Sequence, residues 1–298
     1  MSFLSTASLE TFPPYTDQGV GIAFLDTGIS AMADFSRPNN RIVAFRDFIA
    51  GRTQPYDDNG HGTHVAGIAS GNGTLSNGKF SGIAPKSHII SVKILDKYGQ
   101  GNSPHAISAI RWIMDNSAKY NIKIVNLSIG TNDRKINLPL KEAVESLWKH
   151  GIIVIAAAGN PNGKKPFFPP PSISPHIITV GSWEDKCYFT PPRSFSIFTK
   201  EESYLPDIWA PGEQIISVMS PNYSFALPNR DRRNIIGTHY IRMSGASMAT
   251  PLVSGSAALL LERFPRAKPN EIKQLLLRMA NNNGGFLARS AFEKPVLP

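Results

Sequence analysis

Apolar runs of strand length alternate along this chain with helical stretches, and that alternation leaves few architectures open. The runs at residues 20–25, 41–45, 88–95, 122–128, 152–157 and 176–181 are rich in Ile, Val, Ala and Phe. Near-continuous apolarity, without period-two alternation, marks strands buried on both faces, as in a parallel sheet. Residues 61–70, 104–119, 138–149, 247–264 and 269–280 read as helices, the last opening with Pro269 at its first turn and Glu271 close behind, both start signals. Strands alternating with helices predict an α/β fold, a mostly parallel central sheet with helices on both faces. The chain has 298 residues, 41% of them hydrophobic, which is enough to bury such a sheet in a single domain. No internal repeat appears, and the proline-rich stretch 161–175 and the stretch 188–206 are loops too short to be domains.

In open sheets of this kind, chemistry collects at the carboxyl ends of the strands. The run Val20-Gly-Ile-Ala-Phe-Leu-Asp-Thr-Gly-Ile29 ends in an acid, Asp26, followed by a Gly-containing turn. In Asp57-Asp-Asn-Gly-His-Gly-Thr-His-Val-Ala-Gly67, a polar Gly turn runs into a small-residue helix with His61 in its first turn. The segment Gly245-Ala-Ser-Met-Ala-Thr-Pro251 sets Ser247 among small residues just before the apolar stretch 253–264. A helix N-terminus there offers unpaired backbone N–H groups and a dipole that favours developing negative charge. An acid, an imidazole and a hydroxyl in the order Asp26, His61, Ser247 supply the three roles of an activated serine nucleophile. Spacing along the chain does not by itself bring the three together.

Each residue also has a plainer role. Small residues at a helix start serve close packing, and Asp26 can cap a turn. Asp26-Thr-Gly28 is also the tripeptide of aspartic proteases, but a two-lobed enzyme of that type needs a second copy, and the chain has none. His61 and His64 lie one helical turn apart without the Glu or the third ligand of a zinc site, so His64 reads as structural. Asn160 stands before a proline and, in isolation, reads as a turn residue.

Taken together, Asp26-Thr-Gly28, Gly60-His-Gly-Thr-His-Val-Ala-Gly67 and Ser247-Met-Ala-Thr-Pro251 resemble the signature set of the subtilisin-like serine proteases, the subtilases. The resemblance runs from about Gly19 to about Met279. Arg41-Ile-Val-Ala-Phe-Arg-Asp-Phe48, Pro55-Tyr-Asp-Asp-Asn-Gly-His61 and Pro206-Asp-Ile-Trp-Ala-Pro-Gly212 are most similar, within that family, to the bacterial AprX-type alkaline proteases. The resemblance implies a serine endopeptidase with Asp26, His61 and Ser247 as catalytic triad and Asn160 as oxyanion donor beside the Ser247 backbone N–H. It implies a catalytic domain over 19–285, an N-terminal extension over 1–18 and a C-terminal tail over 286–298. Ser128, Ile129 and Gly130 and, opposite them, Ala157, Ala158 and Gly159 would wall the pocket for the residue before the scissile bond. Leu95, Gly99 and Gly101 would line a subsite further upstream, and residues 167–171 the pocket floor. Neither wall carries a charge, so an apolar or aromatic preference is expected. Asp34 matches a position from which subtilases supply a calcium ligand. The loop 72–78 offers amides, hydroxyls and carbonyls but no carboxylate, which argues against a tight site, and the chemistry itself needs no cofactor. Two departures stand out: Ala246 replaces the threonine that many subtilases carry before the nucleophile, and residues 194–199 depart from the usual turn sequence. A catalytically silent subtilase-like protein acting as a binding partner is the alternative reading.

Charge and composition narrow the partners. The excess of 31 Lys and Arg over 22 Asp and Glu is scattered, with Arg230-Asp-Arg-Arg233 the only tight cluster and no interleaved aromatics, so nucleic acid is not the expected partner. Protein or peptide substrates are expected, together with a propeptide or inhibitor partner for a monomeric enzyme. Cys187 is the single cysteine, so no intrachain disulfide forms. No apolar run is long enough to cross a membrane, and the first residues lack the basic start and apolar middle of a signal peptide. As written, the chain is expected in the cytoplasm, or outside the cell if it is a mature fragment. The stretch before Asp26 is short for a folding propeptide, so the expectation is a truncated chain, or one that folds unaided or with a separately encoded partner.

Overall fold

A computed structural model describes residues 19–129, 138–159, 171–172, 174–183, 206–223 and 232–282. Its centre is a seven-stranded sheet in the order β2-β3-β1-β4-β5-β6-β7. The strands are β1 (Gly21–Asp26), β2 (Ile42–Asp47), β3 (His88–Lys93), β4 (Ile122–Leu127), β5 (Ile153–Ala157), β6 (Ile178–Ser182) and β7 (Ile208–Ala210). Every neighbouring pair in it is parallel. All six residues of β1 and all five of β5 are buried, which is why these segments read as unbroken apolar runs.

The chain places β2 and β3 on one side of β1, then crosses to build β4 through β7 on the other. That reversal puts a crevice at the carboxyl end of β1, where Asp26 is the last residue. Helices α1 (Ala33–Ser36), α2 (His61–Ser70), α3 (Ser103–Asn116), α4 (Leu138–Lys149), α5 (Ala246–Arg263) and α6 (Pro269–Asn282) cover the sheet. Helices α3 and α4 pack together against β1 and β5, while α2 and α5 pack together and α5 runs beneath β4, β5 and β6.

Fifteen of the 18 residues of α5 are buried, from Ala246 to Leu261, so it has no solvent stripe and its sequence shows little helical amphipathy. Pro251 lies inside it. Proline has no N–H to donate to the carbonyl four residues back, that of Ser247. The Ser128 hydroxyl donates to that carbonyl instead, at 3.0 Å.

The alternation of strands and helices therefore gives the expected architecture, with additions. The one-turn helix α1, the short β7 and a small antiparallel sheet of β8 (Ile215–Val218), β10 (Tyr240–Met243) and β9 (Ile235–Ile236) lie outside the runs read from sequence. Segments of two to four residues are too short to carry a period. The added sheet packs on α2 through β8. There the His64 imidazole donates from Nε2 to the carbonyls of Ile215 and Ile241, at 3.2 and 3.1 Å. Burial pushes its pKa down to about 3, with the His61 charge adding to the fall, so the ring is neutral and structural.

Candidate active site

The turn that follows β1 and the first turn of α2 meet at backbone contact. A Cβ on Gly62 would stand 2.2 Å from the Gly28 carbonyl oxygen, so only glycine lets α2 approach this closely. The approach brings His61 Nδ1 to 2.8 Å from Asp26 Oδ1 and 3.0 Å from Oδ2. Asp26 is fully buried, whereas 23% of the His61 side chain is exposed. The Thr27 N–H donates to Asp26 Oδ1 at 2.7 Å. Burial on its own would push the His61 pKa down; the Asp26 charge, its hydrogen bond and the more distant Asp57 charge outweigh that and raise it above the ordinary value. With Nδ1–H donated to the carboxylate, Nε2 is the imidazole atom left to take a proton.

Ser247 is the second residue of α5, whose N-cap Gly245 has φ 136°. The first turn of a helix has no preceding carbonyls to receive its N–H groups, so the Ser247 N–H is placed to stabilise an anion. Its hydroxyl donates to the Ser128 carbonyl at 2.9 Å, and the Ser128 hydroxyl returns a bond to the Ser247 carbonyl at 3.0 Å. A buried relay supports this pair. The Asn126 amide donates to Ser128 Oγ at 2.9 Å, and Ser254 Oγ donates to Asn126 Oδ1 at 2.8 Å, tying the end of β4 to α5.

Ser128 and Ile129 follow the carboxyl end of β4, and Ala157, Ala158 and Gly159 close β5, its parallel neighbour. Ala158 N–H donates to the Val180 carbonyl at 2.8 Å, and Gly159 has φ 89°. Gly130, Asn160 and residues 167–170 lie outside the described residues. Leu95, Gly99 and Gly101 follow β3, in a turn held by Asp96 Oδ1, which accepts from the N–H groups of Tyr98 and Gln100 at 2.8 and 2.9 Å. Asn59 links this turn to the His61 loop by donating to the Lys97 carbonyl at 3.0 Å.

Several residues that sequence reading passed over build the site. Lys93, fully buried at the end of β3, donates from Nζ to the carbonyls of Thr27 (2.6 Å) and Leu95 (2.8 Å) and to Asp58 Oδ1 (2.7 Å). An ammonium taken out of water needs such partners, and these tie the Asp26 turn to the 95–101 turn. A lysine inside the apolar run 88–95, and Asn126 inside 122–128, were the available signals, since a polar group in a doubly covered strand demands a specific partner.

Asp34 is fully buried and faces protein donors. Its Oδ1 accepts from the Leu75 N–H and its Oδ2 from the Tyr240 hydroxyl, both at 2.7 Å. The Arg41 guanidinium donates to the carbonyls of Asp34 (2.5 Å), Ser70 (2.7 Å) and Ser87 (3.1 Å). Burial pulls the Arg41 pKa down to about 10 against the opposing pull of the Asp34 charge, so it is a cation at neutral pH. The loop's Asn72 Oδ1 is engaged by the N–H and hydroxyl of Thr74, at 3.1 and 2.7 Å. Among the described residues no three or more His, Cys, Asp or Glu side chains gather where a metal ion would sit. This donor set, with a guanidinium beside it, does not fit a divalent cation.

Comparison with known proteins agrees with this architecture. The sequence profile of the subtilase family, peptidase S8, matches residues 17–292. The serine protease AprX of Bacillus subtilis strain 168 is 38% identical over 277 residues, 88% of this chain and 61% of that protein. The thermophilic serine proteinase of Bacillus sp. strain AK1 is 33% identical, across 90% of this chain and 58% of its own length. The chain thus spans roughly six-tenths of these relatives' length. Among solved structures, a cold-adapted subtilisin-like serine proteinase superposes with a TM-score of 0.66 at 27% identity, covering 91% of this chain and 88% of that one. The chain belongs to the subtilase family, and its sheet and helices are those of a subtilisin-like fold.

Proposed function

We propose that this chain is a serine endopeptidase that hydrolyses protein or peptide substrates through an acyl-enzyme. The observation that carries the reading is the 2.8 Å contact between buried Asp26 and His61 Nδ1, with the nucleophile candidate at the N-terminus of α5. Ser247 Oγ attacks the scissile carbonyl as His61 Nε2 takes its proton. Asp26 holds the imidazole in the tautomer that leaves Nε2 free and stabilises the imidazolium. The oxyanion is met by the Ser247 N–H and by the Asn160 side-chain amide. His61 then gives its proton to the leaving amine, and water repeats the sequence to release the acid.

In the resting arrangement the Ser247 hydroxyl donates to the Ser128 carbonyl, so attack requires the hydroxyl to rotate toward His61. The uncharged pairs Ser128–Ile129 and Ala157–Ala158 support an apolar or aromatic residue before the scissile bond, with Leu95, Gly99 and Gly101 serving an upstream subsite. Residues 19–285 form the catalytic unit. No cofactor takes part in the chemistry, and the occupied oxygens of Asp34 support folding without calcium at that position.

Titration with a fluorophosphonate tests the assignment. Labelling at one serine, lost together with peptide hydrolysis in a folded Ser247→Ala variant, is the expected result. Near-normal turnover by that variant refutes the assignment. Absence of labelling in the parent chain would favour the silent binding protein. A peptide-library profile dominated by Lys or Arg before the scissile bond would overturn the uncharged pocket.

A further inference from the structure

We propose that Asp57, linked through the Thr27 hydroxyl, is a positioning residue that sets the register of Asp26 against His61. The proposal rests on the triad reading above and assigns a role to a carboxylate that touches neither substrate nor the reacting atoms.

Asp57 is fully buried, and none of the ion pairs among the described residues involves it. A carboxylate withdrawn from water without a cation must be satisfied by hydrogen bonds, and where its donors come from shows what it organises. Its Oδ1 accepts from Thr27 Oγ1 (2.9 Å), Asn59 N–H (3.1 Å) and Gly60 N–H (2.8 Å). Its Oδ2 accepts from the N–H and the hydroxyl of Thr63, at 2.9 and 2.6 Å. Thr27 follows Asp26 directly, and Gly60 and Thr63 bracket His61. The Thr27 hydroxyl, while donating to Asp57, accepts the Gly62 N–H at 2.9 Å. One carboxylate and one hydroxyl therefore bind the turn carrying the catalytic acid to the first turn of the helix carrying the base.

Helix α2 needs such an anchor. Its N-cap is Gly60, in the left-handed region at φ 107°, with no side-chain cap of its own. Asp57 takes the cap's N–H and the Thr63 N–H, supplying from the preceding loop what an N-cap side chain ordinarily supplies. Asp57 is itself fixed by a bridge to Gly28 and by the Ser220 hydroxyl, which donates to its carbonyl at 3.1 Å. Proton transfer between His61 and the nucleophile depends on placement, and a displacement near 1 Å can cost on the order of 10²-fold in rate.

A group that only stabilises the fold and a group that positions the pair differ in kinetics. Thr27→Val keeps shape and charge but removes the hydroxyl that joins the two turns. The expected result is a folded protein whose kcat falls ~10-fold or more with KM little changed, restored by Thr27→Ser. Asp57→Asn keeps the size, deletes the charge and turns a donor toward Thr63. Its kcat should fall further, and the acid limb of kcat/KM should move to lower pH, because a carboxylate that raises the His61 pKa is gone. Among the described residues, the other charged or titratable groups that act on the imidazole are Asp26 and neutral His64 one turn along α2, and neither is altered in the two variants. Wild-type kcat in Thr27→Val, or a change confined to KM, overturns the proposal. So does a Thr27→Ser variant as slow as Thr27→Val. If Asp57→Asn does not fold, the Thr27 pair decides alone. Failure of the triad reading is recognised separately, by a Ser247→Ala variant that still hydrolyses peptides.

Discussion

Tyr240→Phe isolates the polar contact that closes the Asp34 site. The substitution removes one oxygen, donated to Asp34 Oδ2 at 2.7 Å from a side chain that is 3% exposed, and leaves the ring packing against Phe80. A hydrogen bond to a buried charge contributes about 1.5–3 kcal/mol. For 298 residues, an unfolding entropy of about 2.1 cal/mol/K per residue gives about 0.6 kcal/mol/K, so the melting temperature should fall by about 2–5 °C. Measurement in a Ser247→Ala background keeps the proposed peptidase activity out of the transition. The same fall is expected in millimolar calcium and in chelator, because Arg41 and Tyr240 occupy the carbonyls and carboxylate that a cation would need. A second signature lies at high pH. Burial, with the Asp34 bond and charge, raises the Tyr240 pKa, so the folded state keeps a proton that the unfolded chain loses above about pH 10. Stability conferred by the phenol is complete below that pH and declines above it; the Phe variant should lose this component of the decline. A parent protein whose melting temperature drops sharply in chelator and recovers with calcium would refute the reasoning, as would an unchanged Tyr240→Phe.

Two further outcomes follow from the histidines. The His61 pKa is raised above its ordinary value near 6.5, and the proposed triad needs His61 as a neutral base, so on that proposal the acid limb of kcat/KM should titrate above that value and Asp26→Asn should lower it. His64 is held neutral with a pKa of about 3, so unfolding takes up a proton below pH 6.5; urea midpoints should fall between pH 6.5 and 3, less steeply in His64→Gln.

Strands β1 to β6 were legible because a strand covered on both faces, as β1, β5 and β6 are, must be largely apolar, a signal that needs no knowledge of the partner strand; the edge strand β2, with Arg46 exposed, carries it only in part. Helix α5 was legible as a helix, but its burial on every side was not, since its small and apolar residues, with serines and a threonine scattered among them, show no period. The small sheet escaped because β9 has two residues and β8 and β10 four each, and their pairing partners lie up to 28 residues away, as for Met243 with Ile215. At the site, Asp26, His61 and Ser247 stood out by residue type at strand and helix ends. Thr27, Lys93 and Asn126 did not, because a buried polar residue declares its function only through the groups it meets. Lys93 meets the carbonyl of Thr27, 66 positions earlier, and Asn126 meets Ser254, 128 positions later.

The proline inside α5 bears on mechanical coupling. A helix normally consumes its own carbonyls, so a segment alongside can slide without disturbing it. By withholding one N–H, Pro251 exposes the Ser247 carbonyl as a fastening point, and Ser128 fills it while receiving the Ser247 hydroxyl in return. The segment after β4 and the start of α5 are therefore joined by two opposed bonds. A load on residues 128–129 would therefore reach the backbone of Ser247. Pro251→Ala would return the missing rung to the helix and set an inward donor against the Ser128 hydroxyl at the Ser247 carbonyl, leaving the bond from the Ser247 hydroxyl to the Ser128 carbonyl as the remaining tie.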